Sequence, residues 1–425
     1  MSTRSTLNSP AIPFTQSGSS PPINSTFTHP PLTSLAPRSG AQTLAIHAGI
    51  QPDPATGSIL TPIYQTATFA QRALGETISP DGHTYSRCSN PTVTALERNL
   101  AGLEGVSHAL AFKTGLAAIT SLLLTLLKPG DHVVAGEVMY GGTIRLLRDL
   151  LGGFGVETSF VDTTDRGAVA AAIKPSTTLV FIETPANPTL AVTDIAAIAQ
   201  LAKQAGALFV VDNTFLTSVL QPVIPLGADV AVLSTTKYVE GHDSTTGGAL
   251  LFDSDELYER FFLTRSATGS IQAPFDAWLT LRGLKTLPLR LRHHSETALA
   301  VAQFLEAHPL TRRVHYPGLP SFQGFDLAAQ QQRTGGGIVS FELKHAQIRP
   351  FVSALRLTTL AENLGAAETL ITHPASMTHS QIPPAERERL GIAEGLLRLS
   401  VGLEDVDDIT ADLQAALEAS CNTEV

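Results

Sequence analysis

Three hydroxyls and a lysine, Ser234-Thr235-Thr236-Lys237, close the apolar run "DVAVL". A solvated surface lysine needs no such company. Hydroxyls suit an anion, and a lysine partly withdrawn from water sheds its proton readily and can form a Schiff base with a carbonyl carbon. Asp212 closes a second apolar run, "LFVV". Its backbone is expected to be buried, and a buried carboxylate requires a cation or several donors. Thr114-Gly115-Leu116 follow a third run, "HALAF", with Gly115 at the start of a helical pattern. Free amides at a helix N-terminus, together with the helix dipole, attract phosphate. Taken singly, Thr114-Gly115-Leu116 reads better as an ordinary strand–helix turn, and Ser234 and Thr236 could merely end a strand, whereas Asp212 stands apart. Taken together, an aspartate for a protonated ring nitrogen, a lysine for an aldehyde and a cradle for phosphate describe pyridoxal 5'-phosphate (PLP).

The elements that must position these groups are legible from about residue 108. Short apolar runs ("HALAF", "HVVAG", "VETSFVD", "TLVFIETP", "LFVVDNTF", "DVAVLSTTKY") alternate with helical patterns such as "GLAAITSLLLTLL" and "DIAAIAQLAKQAG". Asp194 is expected to cap the second of these helices and Gly206 to end it. Strand–helix repetition with strands buried on both faces predicts an α/β domain with a mainly parallel sheet. Ligands bind beyond the carboxyl ends of such strands. That rule gathers Thr114-Gly115, Glu183, Asp212-Asn213 and Ser234 to Lys237 on one edge. Glu183 reads as a neighbouring structural carboxylate. Beyond "GGALLF" a long helical region runs from Trp278 to His308, and strand-like "GGGIVSFEL" and helix-like "DDITADLQAALEA" then predict a second, smaller α+β domain.

Composition narrows the classes. At 425 residues the chain has room for two domains with sizeable cores. Hydrophobic residues at 43% and charged residues at 16% describe a globular protein. A net charge of -10 without basic runs argues against nucleic acid or an anionic membrane as partner. The longest apolar run, Leu122 to Leu127, is too short to span a bilayer. Two cysteines, Cys88 and Cys421, form neither a disulfide framework nor a zinc site, which reads as a reducing cytoplasm. Cys88 reads as an ordinary small residue, with a reactive thiol as the alternative. Residues 1–40, rich in Ser, Thr and Pro, read as a disordered tail rather than a transit peptide. His242-Asp243 read as a loop wall and His293-His294 as a solvated helix face, and neither pair has a third ligand at metal spacing.

Ten motifs in order, spanning roughly residues 42–415, resemble the Cys/Met-metabolism PLP enzymes of the γ-synthase and γ-lyase type. They are "YSRCSNPT", "TGLAAI", "YGGT", "ETPANP", "VDNTF", "STTKYVEGH", "RGLKTL", "AENLG", "HPASMTH" and "LRLSVGLED". The resemblance implies the aspartate-aminotransferase-like fold type I, with a large domain on a mainly parallel seven-stranded sheet and a smaller C-terminal α+β domain. It implies Lys237 as the Schiff-base lysine and proton shuttle, Asp212 as partner of the ring nitrogen, and Tyr140 stacked on the ring and aiding leaving-group protons. Gly115 and Leu116 amides, with Ser234 and Thr236, would hold the phosphate. Tyr85 and Arg87 would reach the phosphate of a neighbouring subunit, so the site would be shared in a homo-oligomer, typically a dimer of dimers. Arg398 would clamp the amino-acid carboxylate, with Asn187 beside it. The implied division is a tail over 1–40, an arm over 41–100 reaching the neighbouring subunit, a PLP-binding domain over 101–290 and a small domain over 291–425.

The family divides by what happens at Cβ and Cγ of the amino acid. Glu362 resembles the glutamate of γ-synthases and γ-lyases, where a carboxylate can receive the distal ammonium of cysteine or cystathionine. β-Lyases tend to carry an aromatic residue there, and methionine γ-lyases an apolar one. Asn363 stands where γ-synthases usually carry serine at a carboxylate-binding position. The reading is γ-replacement of an O-acylhomoserine by L-cysteine, giving cystathionine. Alternatives are a cystathionine γ-lyase, a methionine γ-lyase or an O-acylhomoserine sulfhydrylase. A catalytically dead regulatory subunit on the same fold is disfavoured by the intact Lys237, Asp212, Tyr140 and Arg398. A nicotinamide enzyme is disfavoured because no G-x-G-x-x-G follows a strand.

Overall fold

Period-free apolar runs of five to seven residues cannot leave either face in water, so they pair into one central sheet with helices on both sides. In the computed structural model, which describes residues 39–53, 55–344 and 348–421, seven strands do this. They are β1 (His108–Phe112), β2 (His132–Gly136), β3 (Glu157–Val161), β4 (Thr177–Glu183), β5 (Leu208–Asp212), β6 (Val230–Leu233) and β7 (Gly248–Phe252). Their order is β1-β7-β6-β5-β4-β2-β3. β3, β2, β4, β5 and β6 are parallel throughout, and β7 runs antiparallel to both of its neighbours. Two reversals in succession restore the direction of β1. Its carboxyl end therefore lies on the same edge as those of β4, β5 and β6.

Alternation across the pleat divides the core. Val134, Val180, Ile182, Val211 and Ala231 point to one face, while Val133, Ala135, Phe181, Val210 and Val232 point to the other. Each fully buried Val, Ile or Phe among them contributes about 1.5–3 kcal/mol of transfer free energy. Helix α1 (Gly115–Leu126) packs on the second face. Helix α2 (Gly141–Arg145) follows Tyr140, and α3 (Ile195–Ala205) packs on the first face. As the sequence leads one to expect, Asp194 caps α3 by accepting from the Ala197 amide at 2.9 Å, and left-handed Gly206 ends it.

Helices α4 (Asp255–Thr268) and α5 (Leu287–Ala307) lead to a second sheet. Its strands are β8 (Thr311–His315), β9 (Ile338–Leu343), β10 (Thr359–Leu360), β11 (Leu370–Thr372) and β12 (Leu396–Ser400), in the order β8-β9-β12-β11-β10. Polar contacts tie the second-sheet region to the loop that follows β4. Ser340 Oγ donates to Pro188 O at 2.6 Å, and Gln331 Nε2 donates to Thr193 O at 3.0 Å.

One expectation on α5 fails. His293 is exposed, but His294 is fully buried and donates Nδ1–H to Val401 O at 2.8 Å. Two residues adjacent on a helix are about 100° apart, so a helix with one face packed on the second sheet buries one and exposes the other. The expected tail over 1–40 lies, up to residue 38, outside the described residues. Among the described residues, no helix is long and apolar enough to cross a membrane.

Candidate active site

Parallel pairing in register sets Glu183 of β4 beside Asp212 of β5, both buried where their strands end. Asp212 Oδ1 accepts from the Thr214 amide at 3.0 Å and the Thr214 hydroxyl at 2.6 Å. No described residue donates to Oδ2. Burial pushes the Asp212 carboxyl well above the usual carboxylate range, against the Thr214 hydrogen bonds. Glu183 is likewise raised, by burial first and then by the Asp212 charge. Two such carboxyls cannot both ionise cheaply without a cation. A protonated ring nitrogen at the open oxygen of Asp212 would supply one.

Glu183, expected from the sequence to be a neighbouring structural carboxylate, holds backbone here. Its Oε2 accepts from the Tyr140 amide at 2.7 Å and its Oε1 from the Asn187 amide at 2.9 Å. One side chain thus ties down two loops that carry expected site residues. The signal was available, since Glu183 closes a buried strand just as Asp212 does. Tyr140 is about half exposed, and its ring edge lies where a Cβ on Gly142 would fall. The second glycine of "YGGT" is therefore what lets the ring take this position.

The groups expected from the sequence to cradle a phosphate come together where α1 meets the turn after β6. Thr114 caps α1 by accepting from the Ala117 amide at 2.9 Å. The amides of Gly115 and Leu116 have no acceptor among the described residues, and neither does the Ser234 hydroxyl have a hydrogen-bond partner. A Cβ on Gly115 would stand 2.8 Å from Ser234 Cβ, so glycine permits this approach. Thr236 is differently engaged. Its hydroxyl donates to Gly247 O at 3.1 Å and accepts from the Gly247 amide at 2.9 Å, closing the loop behind Lys237. Gly115→Ala is expected to weaken cofactor retention by about tenfold, through overpacking of 1–3 kcal/mol. Loss of bound-cofactor absorbance during dialysis measures it.

Lys237 follows this cradle. Burial first, and then the Arg398 charge, push its ammonium down to about 8, with Asp243 opposing. Its Nζ donates to Asn363 Oδ1. Asn363 reaches it because Gly365, at φ 77°, packs against the Lys237–Tyr238 peptide, where a Cβ would stand 2.7 Å from Tyr238 N.

Arg398 lies in β12, the centre strand of its sheet, and is 2% exposed. A surface position on an edge strand is thereby ruled out. Nη1 donates to Asn187 Oδ1 at 2.8 Å, and Nη2 donates to Asn363 O at 3.0 Å and Thr372 Oγ1 at 3.1 Å. Nε is buried with no partner. Burial holds the guanidinium down to about 10. Among the described residues no carboxylate pairs with it, so a buried cation is left for an incoming anion. Glu362 is exposed on the same loop as Asn363, with no hydrogen-bond or ion-pair partner among the described residues.

Tyr85 and Arg87 do not join this group in their own chain. Tyr85 is 44% exposed, Arg87 stacks over its ring at 5.5 Å, and the Arg87 guanidinium donates to Ser266 O on α4. The remaining residues fit PLP on three separate counts: the open oxygen of buried Asp212, the uncapped amides and hydroxyl of the cradle, and a lysine with a depressed pKa.

Residues 42–418 match the profile of the Cys/Met metabolism PLP-dependent enzymes. A cystathionine β-lyase of Coxiella burnetii is 45% identical over 89% of this chain and 98% of its own. A cystathionine γ-synthase of Mycobacterium bovis is 46% identical over 89% of this chain and 97% of its own. Among solved structures, a cystathionine γ-synthase from Xanthomonas oryzae pv. oryzae, in complex with aminoacrylate and cysteine, superposes with a TM-score of 0.88. It is 42% identical, covering 91% of this chain and 100% of the other.

Proposed function

The chain belongs to the Cys/Met-metabolism PLP-dependent enzymes, and from that premise we propose that it replaces the γ-substituent of an O-acylhomoserine with L-cysteine, giving cystathionine. Overall identity does not rank the activities, because a β-lyase and a γ-synthase stand within one percentage point of each other. The observation that carries the choice is Glu362. It is an uncommitted carboxylate one residue from Asn363, whose carbonyl already touches the Arg398 guanidinium. An amino acid held at Arg398 would therefore present its far end near Glu362, where a second ammonium group is favoured.

Asp212, Ser234, Lys237 and the amides of Gly115 and Leu116 would hold PLP, with Tyr140 against its ring, while Thr236, expected from the sequence to join them, is engaged with Gly247. When bound, PLP supplies an electron sink that acidifies the Cα and Cβ protons of the amino acid. The protein's part is orientation and proton transfer. Arg398 and Asn187 hold the substrate carboxylate. Lys237 Nζ takes the Cα proton and returns it after the substitution. Tyr140 stands where a leaving-group oxygen or an entering thiol can exchange a proton. Glu362 holds the cysteine ammonium so that its sulfur approaches Cγ.

We further infer that Tyr85 and Arg87 complete the cradle of a second copy. Their half-exposed position outside their own chain's cradle supports this, as do Ile59, Leu74 and Ile78, exposed in the same segment.

The test is incubation of PLP-loaded protein with O-succinyl- or O-acetylhomoserine plus cysteine, and separately with cystathionine alone, read by mass spectrometry. Cystathionine forming much faster than it is consumed supports the proposal. Rapid 2-oxobutyrate from cystathionine moves the assignment to γ-lyase, and pyruvate with homocysteine to β-lyase. Glu362→Gln is expected to raise KM for cysteine by ~5-fold while leaving KM for the acylhomoserine unchanged, the size expected of an exposed ion pair.

A further inference from the structure

Asp243 was expected to be a loop wall, but its carboxylate faces the reactive lysine through one intermediary. Asp243 Oδ1 accepts from Asn363 Nδ2, and Asn363 Oδ1 accepts from Lys237 Nζ. An amide has one donor end and one acceptor end. A carboxylate accepts only, so it selects which end of Asn363 turns toward it and leaves the oxygen for the ammonium. We infer that Asp243 is a positioning residue: its carboxylate locks the Asn363 amide so that Oδ1 points at Lys237 Nζ. The inference rests on Lys237 being the residue that bonds the cofactor and moves the proton.

Two further features show that the arrangement is built in. Asp243 adopts φ 53°, a left-handed conformation in which Asp and Asn are enriched. The turn that carries it is anchored by Glu240, a buried carboxylate. Glu240 accepts from the His242 amide at 3.0 Å, the Ser244 amide at 3.2 Å and the Ser244 hydroxyl at 2.5 Å. On the other side, Arg398 Nη2 fixes the Asn363 carbonyl at 3.0 Å. Asn363 is therefore held by an anion on its side chain and a cation on its backbone. The charged groups facing this relay are Arg398 from the second sheet, Glu362 and Glu368 from the loop of Asn363, and Glu240 from the turn of Asp243.

The sign follows from the charges. The Asp243 carboxylate and the Asn363 oxygen both favour the ammonium form of Lys237, so removing Asp243 makes the lysine easier to deprotonate. Asp243→Gly suits the left-handed backbone and removes the carboxylate. Asp243→Asn keeps an acceptor oxygen but no charge. The cofactor-free protein is labelled with an amine-directed reagent across pH, and the Lys237 peptide is quantified by mass spectrometry.

Asp243→Gly is expected to lower the labelling midpoint by about 0.5–1 pH unit, the scale of one nearby charge. Asp243→Asn should produce a smaller shift. In an Asn363→Ala background the Asp243→Gly shift should fall below half, because the relay is already broken. For the loaded enzyme, kcat in Asp243→Gly is expected to drop about tenfold with KM for the acylhomoserine little changed. An unmoved midpoint, or an equal shift with and without Asn363, overturns the inference. The premise is tested separately. If Lys237→Ala retains the visible absorbance of bound cofactor, the reading of Lys237 fails. If it loses that band while the Asp243→Gly midpoint stays in place, only the positioning role fails.

Discussion

Lys237→Ala is expected to abolish the visible absorbance of bound PLP and to lower turnover by ~10³-fold or more. The fold has no comparable stake in this side chain. Its one hydrogen bond is to Asn363, and its charge lies in a partly desolvated site beside Arg398. Removing an amine whose burial already disfavours its charged form relieves as much as it disrupts, so the thermal midpoint should move by only a few degrees. Absorbance of the dialysed, PLP-reconstituted variant is the direct measurement. A band at the wild-type position would mean that another group bonds the cofactor aldehyde.

Arg398→Met is expected to lower kcat/KM by about 10²- to 10³-fold, the scale of truncating one partner of a buried charge pair. The guanidinium is 2% exposed, has no carboxylate partner and has an orphaned Nε. Methionine occupies similar volume without the uncompensated charge. It leaves Asn187 Oδ1 and Thr372 Oγ1 without their donor at 2.8 and 3.1 Å. These opposing terms are each of order 1–3 kcal/mol, so net stability should change by less than about 2 kcal/mol. Arg398→Lys should restore little activity, because one ammonium cannot span Asn187 and Thr372 while also facing a carboxylate with a planar fork. Substrate saturation curves beside thermal unfolding separate the two effects. Equal losses of stability and activity would make Arg398 a structural residue instead.

Local pattern determined much of this protein. The apolar runs ending at Phe112, Glu183, Asp212 and Leu233 marked out strands and their carboxyl ends, because a strand buried on both faces has little freedom in composition. Asp194 and Gly206 marked a helix, because capping is a contact between near neighbours in the chain. The order of ten motifs marked the family, and with it PLP and the lysine that would bind it.

What only the tertiary structure decided are contacts between residues distant in sequence, where no periodicity applies. Pairing of β4 with β5 set Glu183 beside Asp212, and Glu183 then captured the amides of Tyr140 and Asn187. Thr236, equal to Ser234 in the sequence, gave its hydroxyl to Gly247 while Ser234 kept its own free. His294 turned inward because that face of α5 packs on the second sheet. Asp243 met Lys237 through Asn363, 120 positions further on. Residue types and strand ends follow from the energetics of burial, which acts on each segment by itself. Which hydroxyl, carboxylate or amide is left free for a ligand depends on partners that only the folded chain brings within 3 Å.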